Sequence, residues 1–133
     1  MTLKDTAKRA RWKAAEQANT KAVLLKVRPA LEALGLSASS RSRRRYEVQI
    51  NGYKCIVGIQ KLSLAPTFRI HASIEGKLRL DLVSDPFTHA GHPSGLKFKL
   101  DVSRFEDNSE DCAAQITSFV RLAALPWFRD NAL

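Results

Sequence analysis

Apolar and polar residues alternate on either side of Asn51-Gly52 between residues 46 and 60. Asn-Gly between two such runs signals a hairpin, because a type I′ turn needs positive φ at both central residues. A two-residue turn sets Ile50 against Tyr53, Val48 against Cys55 and Tyr46 against Val57. All six are apolar or aromatic, so turn chemistry and hydrophobic pattern give one register. That register places Cys55 in the core, and Gln49, Lys54 and Gln60 on the opposite face.

The flanking stretches read as helices. Thr2 and Asp5 have capping-box spacing, and the Ala-, Lys- and Arg-rich run that follows favours helix. Val23, Val27, Leu31 and Leu34 recur every three or four residues as a core-facing stripe. Pro29 falls inside this pattern and predicts a kink or restart, and Gly35 predicts the stop. Near the other end, Asn108-Ser109-Glu110-Asp111 reads as a helix start with an acidic first turn. Cys112, Ile116, Phe119, Val120 and Ala123 form its buried stripe, with Pro126 expected to end it and Trp127 and Phe128 to fold back over the core edge.

Three further strands are predicted. Phe68, Ile70, Ala72 and Ile74 alternate with polar residues, and Leu78, Leu80 and Leu82 do the same. A three-residue loop with Gly76 left-handed would pair Ala72 with Leu78 and Ile70 with Leu80. It would also set Arg69 opposite Asp81 as a cross-strand ion pair. Residues 84–96 form a long connection, and residues 97–103 return as a strand with Phe98, Leu100 and Val102 inward. The expected fold is α+β in two layers: a five-stranded antiparallel meander with N- and C-terminal helices packed on one face. The 133 residues suit a single domain, with residues 1–22 as a basic helical extension of its first helix.

Charge sharpens the picture. The net charge of +9 resides wholly in residues 1–45, which carry twelve Lys and Arg against Asp5, Glu16 and Glu32. Residues 46–133 carry ten of each sign. Lys4, Lys8, Arg9, Arg11 and Lys13 make the first helical turns basic around much of their circumference, and Arg41, Arg43, Arg44 and Arg45 lead into the first strand. These nine form a candidate binding segment for an acidic protein or for nucleic acid, with Trp12 available for stacking. The bland alternative is a solvated helix and a charged edge that discourages strand pairing. No motif for sequence-specific recognition accompanies them. With no apolar run long enough to span a membrane, no signal-peptide core, and two cysteines that both fall in apolar stripes, a cytoplasmic protein is expected.

Catalytic chemistry has little footing. No nucleophile elbow or phosphate-cradling Gly-rich loop occurs, and the clustered acids near residue 108 suit a helix start. The sequence therefore implies a non-enzymatic binding module without cofactor or metal. A second possibility is a small-ligand or metal-dependent activity on the polar sheet face, from Lys54, Arg69, His71 and Arg79, beside the 84–96 loop that carries His89 and His92.

Leu31-x-x-Leu34-Gly35-Leu36, a basic stretch before Tyr46, Ile59-Gln60-Lys61 with Ser63, Phe68-x-Ile70 and Leu125-Pro126-Trp127 lie in one order along the chain. Together they resemble the bacterial family termed domain of unknown function 4304. Leu36 stands where that family would have phenylalanine, Leu62 departs from its usual run, and the segment before Val23 lies outside the resemblance. The resemblance implies the helix–sheet–helix fold and no catalytic residue.

Overall fold

The computed structural model describes residues 2–39, 44–88 and 92–133. Its first element, α1 (Leu3–Ala33), begins with the capping box that the sequence predicts: Thr2 Oγ1 accepts from the Asp5 N–H, and Asp5 accepts from the Thr2 N–H. The helix runs through Pro29 without a break. That proline removes the bond to the Leu25 carbonyl, on a side of the helix where the Leu25 side chain is exposed and water can replace the donor. Gly35, at φ 97°, closes the helix in a Schellman motif. The Leu36 N–H reaches the Leu31 carbonyl and the Gly35 N–H reaches that of Glu32.

The sheet is a five-stranded antiparallel meander in the order β1 (Ser37–Ala38), β2 (Arg45–Ile50), β3 (Tyr53–Lys61), β4 (Phe68–Ile74) and β5 (Asp81–Val83). Around Asn51-Gly52 the predicted register holds at all three pairs, Ile50–Tyr53, Val48–Cys55 and Tyr46–Val57. After β5 come a one-turn helix, α2 (Asp85–Thr88), inside the long connection, then α3 (Ser109–Phe119), a π-helical turn (Val120–Ala124) and α4 (Leu125–Asn131). Val23, Val27 and Leu31 from α1 and Ile116, Phe119 and Phe128 from the C-terminal helices join the inward face of the sheet in one core.

Three expectations need correction. The second hairpin pairs Ala72 with Leu82, not Leu78, and Ser73 with Asp81. A slip of four residues keeps every side chain on its own face, so hydrophobic alternation does not separate the two registers. Turn geometry decides: Gly76 is left-handed as predicted, but Arg79 is too (φ 65°), and Leu78 stays 92% exposed in the turn. Residues 97–103 are extended but not a ladder, joined to the sheet end by a single bridge, Thr67–Asp101. Pro66 lies opposite and has no N–H to offer, so it only accepts, from Val102. Phe98, Leu100 and Val102 nonetheless face inward, and the fifth strand is instead Ser37–Ala38, beside β2. Finally, Pro126 does not end the C-terminal helix. The π-helical turn just before it widens the ladder to Leu125 N–H→Val120 C=O, which accommodates the proline's missing donor.

The polar half of α1 is fixed by Asn19, which is 5% exposed. Its amide donates to the carbonyls of Ser103 and Glu106, at 2.9 and 2.8 Å. Asn19→Ala strands both acceptors and is expected to cost about 1–3 kcal/mol in urea unfolding; a smaller change would mean that water satisfies them.

Candidate functional site

Along α1 the buried positions Leu31, Val27, Val23 and Asn19 continue through Glu16 to Trp12, at steps of three and four residues. Glu16, with an 18% exposed side chain, accepts from Arg104 Nε at 3.0 Å and from Lys61 Nζ at 3.4 Å. Lys61 spends its other contacts on the carbonyls of Leu62 and Ala65, closing the β3–β4 turn. Burial acts to raise the Glu16 pKa, but the Arg104 hydrogen bond and the charge and hydrogen bond of Lys61 outweigh it, leaving the carboxyl below its ordinary 4.5. Trp12 meets Phe105 edge-to-face, with centroids 5.8 Å apart, and Lys8 Nζ lies 4.8 Å from the indole centroid.

Outside this contact face, residues 2–11 are exposed throughout. Lys4, Lys8, Arg9 and Arg11 lie there, and Lys13 follows, also exposed. Asp5, the acid among them, is occupied by the capping box, and Glu16 is turned inward. A groove of about 490 Å³ brings Lys13 and Lys21 of α1 together with Arg44 and Lys61, so the structure joins two basic stretches that lie far apart in the sequence. Among the described residues neither Lys13 nor Lys21 has a carboxylate within 4.0 Å, whereas Arg45 lies 3.8 Å from Glu47. Arg41 and Arg43 fall outside the described residues.

The polar sheet face arranges its charges differently. Arg69 donates twice to Asp85, at 2.9 Å from both Nε and Nη2, rather than pairing with Asp81. The four-residue register shift accounts for this exchange of partner. The Asp85 hydrogen bond, then its charge, raises the Arg69 pKa. His71 Nε2 lies 2.9 Å from Asp81, and Lys54 sits between Glu47 and Glu75 at 4.0 and 3.8 Å. Arg79 belongs to the turn before β5 and does not converge with them. A cleft of about 500 Å³ lies beside the Arg69–Asp85 pair, with Lys97 and Lys99 on its wall. His92 stacks on Phe87 at 3.9 Å and lies 2.6 Å from Ser94 Oγ, while His89 is outside the described residues. Among the described residues no group of three or more His, Cys, Asp or Glu side chains is placed to hold a metal, and no helix is long and apolar enough to cross a membrane.

No family model, curated protein or solved structure matches the chain.

Sequence patterning missed Glu16, Asn19, Lys61, Arg104 and Phe105. For Glu16 and Asn19 a signal exists, since they extend the apolar stripe in phase. Lys61 and Arg104 likewise continue by one step the inward alternations Cys55, Val57, Ile59 and Phe98, Leu100, Val102, while no periodicity marks Phe105.

Two measurements probe this chemistry. Because the Glu16 pKa is depressed in the folded state, its contacts stabilise above about pH 4.5 and are lost as pH falls through the folded value. Glu16→Gln should therefore cost about 1–3 kcal/mol at neutral pH and much less near pH 3, read from urea midpoints; an equal cost at both would refute the linkage. Burial, with a smaller push from Asp101, raises the Cys112 thiol to about 12, and burial also raises Cys55. Both thiols should resist iodoacetamide at about pH 7.5 until denaturant is added, as mass spectrometry would show.

Proposed function

We propose that this protein is a non-enzymatic binding module that engages nucleic acid through the basic first half of α1 and the adjoining Arg44. One observation carries the reading. Glu16 is drawn into the contact with Lys61 and Arg104 and Asp5, though exposed, is engaged in its own cap, so the outward charge of that half is predominantly positive.

A regular helix of 31 residues, about 46 Å long, presents these cations on a stiff rod. From Lys4 to Lys21 they run about 26 Å along it, enough to follow several phosphates. An acidic protein would meet the same charge, but a stable protein interface also needs an apolar centre of many side chains. Apart from the single exposed Leu3, the first turns of α1 supply mainly cations and alanines, with the Trp12 indole already in contact with Phe105 and Lys8. Phosphate neutralisation requires no such centre, and it predicts little preference for sequence.

The decisive experiment is a salt series with labelled DNA and RNA. Five phosphate contacts would give a log K against log salt slope of about −4.5 on duplex, and Lys8→Ala with Arg11→Ala should reduce it by about 2. Binding that ignores salt, or binding to polyglutamate but to no nucleic acid, would overturn the reading.

A further inference from the structure

We propose that Phe105 is a stacking platform for an unpaired base, which makes single-stranded nucleic acid the preferred ligand of the basic helix. The inference rests on the nucleic-acid reading above and deepens it.

Phe105 is 80% exposed, yet the loop that carries it is held on every side. Ser103 Oγ accepts from the N–H groups of Phe105 and Glu106, at 3.0 and 3.1 Å. Buried Asn19 clamps the carbonyls of Ser103 and Glu106, and Asn108 Oδ1 takes the Ser103 N–H at 2.8 Å. Arg104 is tied to Glu16. The residues on both sides of the phenyl ring are thus pinned to α1 while the ring itself stands in water. A mobile loop would let the ring fold down onto apolar surface. This one holds it out, with an edge-to-face contact at Trp12 and the two ring planes at 79°.

The position matters as much as the exposure. Through Trp12 the ring adjoins Lys8, and the basic turns of α1 lie alongside. Single-strand binders pair a cationic track for the backbone with aromatic rings for the bases, and stacking serves every base because each has a π-face. Glu106 and Asp107, both exposed on the same loop, disfavour phosphate there, which leaves the basic side toward α1 for the backbone. Bases in a duplex are already stacked and gain nothing from the ring. For a protein partner, one phenyl is too small an apolar centre.

The test is fluorescence anisotropy with labelled oligo-dT of about 20 nucleotides and a hairpin duplex of equal length, on the full chain and on Phe105→Ala and Phe105→Trp. Phe105→Ala should weaken oligo-dT binding about tenfold while leaving duplex affinity and the salt slope unchanged, and Phe105→Trp should restore it. An unchanged thermal midpoint would exclude misfolding of an already exposed position. An Ala variant within about twofold of the parent on oligo-dT, or weakened equally on both probes, overturns the stacking platform but leaves the nucleic-acid reading standing. If the parent chain binds neither probe at any salt concentration, both fall.

Discussion

The structure depends on one face of α1 changing character along its length. At Leu31, Val27 and Val23 the face is aliphatic and enters the core in the ordinary way. At Asn19 it becomes an amide, at Glu16 a carboxylate and at Trp12 an indole, while the helical phase never changes. Each residue meets a partner suited to it: side chains from the sheet and α3, then two carbonyls, then two cations, then an aromatic ring. Buried ion pairs often fail to repay their desolvation. This one is only partly desolvated, and Lys61 also secures the β3–β4 turn, so its contribution lies in location as much as in energy.

The same arrangement determines what α1 shows to solvent. Docking by a carboxylate hides negative charge, and capping by Asp5 neutralises the helix terminus locally. The outer surface inherits an imbalance larger than composition suggests. The sheet face does the opposite, joining Arg69 to Asp85 and His71 to Asp81 by close hydrogen bonds. Of the two regions that the sequence offers for function, the sheet face holds Arg69 and His71 in close pairs, while on α1 Lys13 and Lys21 have no carboxylate within 4.0 Å among the described residues.

Much of this fold is legible in the chain. Asn51-Gly52 specifies its hairpin because turn chemistry and alternation agree independently. The second hairpin has only alternation to go on, and a four-residue slip preserves it, so Arg69 is matched to the wrong aspartate. Residues 97–103 alternate like a strand and bury like one, but Pro66 opposite denies them a ladder. The basic surface is visible as charge. Its discipline is not, because whether Glu16 faces Lys61 and Arg104 depends on residues 45 and 88 positions away. Phe105 escapes notice because a ring left in solvent belongs to no periodic pattern.

The Asn19 clamp joins residues 84 and 87 positions apart in the chain, which has a consequence for how the molecule assembles. Synthesis proceeds from the N-terminus, so α1 exists long before the carbonyls that hold it. Until residue 106 has been made, the leading half of the helix has only local forces and the Lys61 contact of Glu16 to hold it. Short helices are marginal in water unless their own sequence favours them. The capping box, the alanines and the long unbranched cations supply that favour, so the residues that give α1 its charge also let it wait, already helical, for a late partner.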